Sequence, residues 1–226
     1  MRFPNVWVVI AAYNEGQVIA DVIAGLRQTP HRIVVVDDGS ADATADRAQI
    51  AGATVVRHPI NLGQGAALQT GIQFALANGA EFIVTFDADG QHRTTDIAVM
   101  LEALRRNRAD FALGSRFLGT ELHVPALRRL VLRAATWFTR VTTGLRVSDA
   151  HNGLRAMTRR GAGVIRLRQN RMAHASEILD QIASSGLNYV EVPVTIDYSR
   201  YSMAKGQRSS ELLIILLDLF ARRLHQ

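Results

Sequence analysis

The chain has 226 residues, 48% hydrophobic and 20% charged, which suits one large folded domain with a substantial core. It has no cysteine, so disulfides and thiolate metal sites are excluded. Lys and Arg number 26 against 20 Asp and Glu, a net charge of +6, and such a surplus suits nucleic acid, anionic lipid or phosphorylated substrates.

The opening stretch MRFPNVWVVIAAYNE shows no signal-peptide cleavage pattern, and no apolar run approaches the ~18–20 residues that span a bilayer. A cytosolic or peripheral protein is expected. The first strand is predicted over Trp7 to Ala11, followed by Ala12-Tyr13-Asn14-Glu15. Asn14 is the expected cap of a helix whose apolar positions Val18, Ile19, Val22, Ile23 and Leu26 fall at helical spacing, with Pro30 beyond its end. Arg32 to Val36 holds an uninterrupted IVVV run suited to burial on both sheet faces. It ends in Asp37-Asp38-Gly39-Ser40, and an Ala-rich helix follows to about Ile50. The third strand, Thr54 to Arg57, leads through Asn61-Leu62-Gly63-Gln64-Gly65 into a helix through Leu68, Ile72 and Leu76 that Asn78-Gly79 closes.

The fourth strand, Glu81 to Phe86, runs into Asp87-Ala88-Asp89-Gly90-Gln91-His92. The next helix, Asp96 to Arg106, carries Ile97, Met100, Leu101 and Leu104 on one face, with Thr94 or Thr95 as its cap. Four strand–helix alternations call for an α/β fold with a mostly parallel sheet flanked by helices. Asn14, Asp38 and Asp89 would then converge at the carboxyl ends of strands, where α/β proteins open a ligand crevice. Two hard carboxylates at Asp87 and Asp89, with Gln91 close behind, suit Mg²⁺ or Mn²⁺ shared with a diphosphate. The alternative is a plain turn, since Asp and Gly are turn residues. A calcium loop of the EF-hand type fails because its twelfth position, counted from Asp87, is Ala98 rather than Glu. An aspartyl phosphatase would carry its Asp-X-Asp on the first strand, followed by Thr. No GxGxxG follows the first strand, which disfavours a dinucleotide-binding domain. Without an aromatic-rich RNA signature or a basic low-complexity tail, nucleic acid is the weaker partner.

Taken in order, VVIAAYNE, VVVDDGSADAT, NLGQGAALQTGI, FDADGQH, GSRF, DAHNGLRAM, AHASEIL, VEVPVTI and SRYSMAKGQR cover most of the chain. The ordered set resembles the family 2 glycosyltransferases, nearest to the dolichyl- or polyprenyl-phosphate sugar (mannose or glucose) synthases. The resemblance implies a GT-A fold with C-terminal amphipathic helices. It also implies a UDP- or GDP-linked sugar donor, a divalent cation and inversion at the anomeric carbon. By position, Ala12, Tyr13, Asn14, Glu15, Asp38, Gly65, Asp87, Ala88, Lys205 and Arg208 would hold the nucleotide sugar. Asp87, Asp89 and Gln91 would surround Mg²⁺ or Mn²⁺. Asp89, Arg116 and Glu177 would be catalytic, and Arg116, Arg129, Arg133, Asp149 and Arg155 would face the acceptor. Residues 1–208 would form one domain, with a nucleotide-sugar half (1–107) and an acceptor half (108–208).

The second half adds a strand from Asp110 to Ser115, ending at Arg116, whose guanidinium suits a phosphate or a plain surface loop. From Arg128 to Arg146 there are five arginines and no acid. Pro125 to Thr143 reads as an amphipathic helix with Leu127, Leu130, Val131, Ala134, Phe138 and Val141 on one side. Its arginines would meet anionic headgroups or an acceptor phosphate, or simply form a solvent face. Glu177 matches the acid that serves as base where relatives use hydroxyl acceptors, and Asp180 is a second candidate. A polyprenyl phosphate needs no base, because it is already ionised. Asn188 to Tyr198 is expected as an edge strand because it contains Pro193. Lys205 and Arg208 lie in a stretch expected to close over the donor diphosphate. Residues 209–226 form an apolar helix with Glu211, Asp218 and Arg222 on a narrow stripe, to be buried by the domain, a partner, a second copy or lipid. The expected place is the cytoplasmic membrane face, with a small membrane protein as a further partner.

Overall fold

The computed structural model describes residues 3–118, 136–137, 139–141, 143–150, 152–169 and 173–197. In chain order these give β1 (Val6–Ala12), α1 (Ile19–Leu26), β2 (Arg32–Asp37), α2 (Thr44–Ile50), β3 (Thr54–Arg57), α3 (Gln64–Ala77) and β4 (Phe82–Asp87). There follow α4 (Thr95–Asn107), β5 (Phe111–Ser115), β6 (Arg155–Thr158), α5 (Arg159–Val164), α6 (Ala173–Ser185) and β7 (Tyr189–Pro193). Among the described residues the strands form one sheet in the order β3-β2-β1-β4-β6-β5-β7. The β1–β2, β1–β4, β2–β3 and β5–β7 ladders are parallel, whereas β6 runs antiparallel to both β4 and β5.

The sheet divides two apolar layers because successive side chains of a strand point to opposite faces. From β1, Val8 and Ile10 join Ile19, Ile23 and Leu26 of α1 and Ile97, Met100, Leu101 and Leu104 of α4. Trp7 and Val9 point the other way, onto Leu68 and Ile72 of α3 and Ile178, Leu179 and Ile182 of α6. The IVVV run of β2 is buried on both faces, as its composition requires. With helices covering both faces, the loops at the strands' carboxyl ends form the site edge.

Several expectations are corrected. Asn14 does not cap α1, which begins at Ile19 with no side-chain cap bond. Asn14 adopts φ 53°, and its Oδ1 instead accepts the Ala41 N–H at 3.0 Å. Helix α4 starts at Thr95, one residue earlier than expected, and Thr94 makes no side-chain cap bond. Strand β6 was not expected at all. It has four residues and an inward-facing arginine, so it lacks the β-branched run that announces a buried strand. The late strand is at the sheet edge, as Pro193 predicts, but its ladder stops at that residue. Val141, placed on an apolar side, is exposed. The expected donor loop with Lys205 and Arg208, the arginines Arg129 and Arg133, and the apolar helix of 209–226 lie outside the described residues.

Candidate active site

Two loops at the edge are joined by the side chains of Ser40, Asp42, Thr44 and Arg47, none of which the sequence had marked for ligand. The Asn14 N–H donates to Ser40 Oγ (2.9 Å), the Glu15 N–H to Thr44 Oγ1 (2.9 Å) and the Gly16 N–H to Asp42 Oδ2 (3.0 Å). Arg47 closes the joint by donating to the Gly16 carbonyl at 2.7 Å. Ala12 is buried beneath this joint, while Tyr13 is 45% exposed. Asp38 is almost fully buried, and its carboxylate accepts the N–H groups of Leu62 (3.0 Å) and Gly63 (2.7 Å). The same carboxylate meets His58 Nδ1 at 2.7 Å, and His58 Nε2 reaches Thr70 Oγ1 at 3.0 Å. Asp38 therefore shapes the turn that delivers the first residues of α3, including Gly65. His58, which sequence reasoning missed, is the partner that completes it.

The end of β4 places Asp87 and Asp89 on the same edge. Gly90, at φ +73°, turns the chain so that His92 returns to Asp87, with Nε2 at 2.8 Å from Oδ2. On the other side stands Gly153, where a Cβ would lie 2.2 Å and 2.3 Å from the two Asp87 oxygens. Its carbonyl is pinned by Thr85 Oγ1 at 2.7 Å. Burial works to raise the Asp87 pKa, but His92, with Arg155 and His174 beyond it, outweighs burial and leaves the carboxyl below its ordinary value. Asp89 goes the other way. Burial first, then the charge of Asp87, push it from 3.8 to about 6, with Glu15 adding to the rise and the Gln91 N–H at 3.1 Å opposing it. Gln91 takes part through its backbone, its carbonyl accepting the Asp197 N–H at 2.9 Å. Ala88, between the two acids, is buried.

The paired carboxylates fit a small divalent cation. Two negative groups hold each other's charge in a partly buried place, and a cation between them relieves that repulsion. Among the described residues no group of three His, Cys, Asp or Glu side chains stands ready to hold a metal. A two-carboxylate site leaves most positions open, which suits Mg²⁺ or Mn²⁺ shared with phosphate oxygens and water rather than a closed structural site.

Near Asp87 stand a buried arginine and a buried arginine–carboxylate pair. Arg155 is buried in β6, and burial lowers its pKa while Asp87 and Asp149 pull it back, so it stays charged. Arg116, also buried, donates from Nε to Asp149 Oδ2 at 2.6 Å, and its backbone N–H reaches the same oxygen at 3.2 Å. Arg116, Asp149 and Arg155, expected to face the acceptor, are thus brought together. Glu177 is elsewhere engaged. Its two oxygens accept the N–H of Arg168 (3.0 and 3.1 Å) and that of Gln169 (2.9 Å). That turn presses on α3, because a Cβ on Gly65 would meet the Gln169 carbonyl at 2.1 Å and His174 Cβ at 3.0 Å. Asp180 is exposed on α6.

The sequence and the fold have known counterparts. Residues 7–162 match the family Glycosyl transferase family 2. The chain is 30% identical over 223 residues to the UDP-N-acetylglucosamine–dolichyl-phosphate N-acetylglucosaminyltransferase of Methanococcus voltae, covering 89% of each chain. It is 28% identical over 216 residues to the polyprenol monophosphomannose synthase of Mycolicibacterium smegmatis, covering 90% of this chain and 81% of that one. The fold is similar to that of glucosyl-3-phosphoglycerate synthase from Mycobacterium tuberculosis, solved with Mn²⁺, UDP-glucose and phosphoglyceric acid. That likeness has a TM-score of 0.68 at 21% identity, over 95% of this chain and 79% of that one. The parallel sheet, the paired acids at the end of β4 and the family match over more than half the chain agree: the protein is a family 2 glycosyltransferase with a GT-A fold.

Proposed function

We propose that this glycosyltransferase is an inverting, divalent-metal-dependent enzyme that moves a sugar from a nucleotide diphosphate to a polyprenyl phosphate at the cytoplasmic face of a membrane. The observation that carries this reading is the Asp87–Asp89 pair at the site edge, with Asp87 held between His92 and Gly153. A bound Mg²⁺ or Mn²⁺ would neutralise the charge that develops on the departing diphosphate. Asp87 and Asp89 would hold it, with Gln91 beside them. Tyr13 offers an exposed ring to the nucleobase, and Glu15 stands close enough to Asp89 for their charges to be felt. The α3 amino end at Gly65, fixed by Asp38, lies on the same edge.

A phosphate acceptor is favoured by two features. Arg155 brings a buried positive charge next to Asp87, with Arg116 paired to Asp149 alongside it, which suits an anionic nucleophile. The Glu177 carboxylate is committed to two backbone N–H groups, so it is poorly placed to take a proton, and an ionised phosphate needs no base. The names of the M. voltae and M. smegmatis relatives point to lipid phosphates as well. In this reading Arg129 and Arg133 meet the lipid phosphate, while Lys205 and Arg208 close over the donor. No helix among the described residues is long and apolar enough to cross a membrane, and the arginine-rich stretch and the 209–226 segment would bring the enzyme to the lipid surface.

Glu177→Gln tests the acceptor class. With a polyprenyl phosphate the expected fall in kcat is under about 10-fold, where loss of a general base removes about 10²–10⁴. Stability should drop by about 1 kcal/mol, since a neutral amide oxygen replaces the charged acceptor of the Arg168 and Gln169 N–H groups. A folded Glu177→Gln protein that loses about 10³ in kcat would instead assign a hydroxyl acceptor with Glu177 as base.

A further inference from the structure

We propose that His92 is a positioning residue that sets the Asp87 carboxylate for the cation, an inference that rests on the metal-dependent reading above. His92 Nε2 lies 2.8 Å from Asp87 Oδ2, and a carboxylate oxygen accepts, so the imidazole N–H is the donor. That bond fixes one oxygen and leaves the lone pairs of the other for a metal. The imidazole has little freedom. Its side chain is 3% exposed, and its ring sits edge-on to Phe86 with centroids 5.5 Å apart. Nδ1 is buried without a partner, so the ring's hydrogen bonding is directed wholly at Asp87.

The chain around His92 is fastened by a second segment. His92 bridges antiparallel to Ile196, and the Thr195 N–H donates to Asp96 Oδ2 at 2.9 Å. Arg93 forks onto Asp197 at 2.8 and 3.0 Å, and the Asp197 N–H reaches the Gln91 carbonyl. The residues after β7 therefore brace the turn from outside, and His92 transmits that bracing to Asp87. On the far side Gly153 offers backbone without a side chain. Asp87 is gripped between an imidazole and a peptide, which is a geometry for orienting a ligand oxygen rather than for filling a core.

The test is Mn²⁺ binding to the full chain, followed by the electron paramagnetic resonance signal of free Mn²⁺. His92→Leu is expected to weaken binding by about 10–100-fold, the usual loss when an outer partner of a metal ligand is removed. His92→Gln, which keeps an N–H donor, should recover most of it. Arg93→Ala cuts the outer brace without touching Asp87 and should stay within about 3-fold of the parent, given the small worth of exposed ion pairs. Should His92→Leu fail to fold, the loss is read on His92→Asn, whose amide is too short to reach Oδ2. Parent-like Mn²⁺ affinity in the folded variant that lacks the donor would overturn the assignment while leaving the metal site in place. Equal weakening in Arg93→Ala would overturn it in favour of loop anchoring. Absence of Mn²⁺ binding in the parent protein would overturn it together with the metal-dependent reading.

Discussion

Replacing Asp89 by asparagine is expected to lower sugar transfer by at least about 10²–10³-fold and, at neutral pH, to make the ligand-free protein more stable. The two effects have one cause. In the folded chain the Asp89 pKa rises from 3.8 to about 6, through burial and the nearby Asp87 charge. A raised acid favours folding only while it is protonated. Its contribution is complete below the unfolded value and disappears as pH climbs through the folded one. Above pH 6 the ionised Asp89 therefore opposes folding. At about 1.4 kcal/mol per pKa unit the ceiling is ~3 kcal/mol, and partial solvent screening reduces this to ~1–2 kcal/mol. Asparagine carries no charge at any pH. Thermal melts without metal should show Asp89→Asn ahead of the parent at pH 7.5, with the gap closing toward pH 4. Added Mn²⁺ should stabilise the parent and leave the variant unmoved. A variant that melts lower than the parent at pH 7.5 would contradict the assigned strain between the two acids.

Gly153→Ala is the second large effect. The added methyl would lie 2.2 Å from Asp87 Oδ2 and 2.3 Å from Oδ1, distances no carbon and oxygen sustain. The backbone there cannot easily retreat, because Thr85 Oγ1 holds the Gly153 carbonyl. Asp87 must swing off His92, or the 152–154 segment must lift. Either movement misplaces a carboxylate at the reacting edge, and a displacement of about 1 Å can cost about 10²-fold. Turnover should therefore fall by about 10²-fold or more, and overpacking should lower stability by about 1–3 kcal/mol. Gly163→Ala, where nothing lies within 4 Å of the added carbon, is the matched control. It sits in a helix and should leave turnover intact while raising stability by roughly 0.5–1 kcal/mol. Parent-like turnover in Gly153→Ala would remove Asp87 from the reaction.

The first four strands were legible because their signals are local. The apolar runs of β1, β2 and β4 each break abruptly into polar residues, so the strand ends, and with them Asp87 and Asp89, could be read by eye. What the residues beyond those ends do was less legible. Asn14 looked like a helix cap, but its partner, Ala41, lies across a loop, and only the folded pair reveals the joint. Asp38 looked like a ligand-facing acid, yet its N–H donors lie 24 and 25 residues further on. His92 closes the FDADGQH stretch and differs from a turn residue only once Gly90 brings it back under Asp87. Gly153 meets Asp87 across more than sixty residues, and only the family motif around it hinted at a role. Strand β6 has no pattern of its own, since Arg155 is paid for by charges on β4 and at Asp149 rather than by apolar neighbours. Local periodicity reports burial; it does not report which buried polar groups meet.

In the proposed reaction Asp87 and Asp89 serve metal-dependent transfer from a nucleotide sugar to a lipid phosphate. The direct measurement is nucleotide diphosphate release from a panel of UDP- and GDP-sugars with Mn²⁺ or Mg²⁺, each run with and without a short polyprenyl phosphate. Release with at least one donor is expected to require the divalent ion, the lipid phosphate and Asp89 together. Donor turnover that proceeds equally without the lipid phosphate, or equally in the Asp89→Ala protein, would contradict it.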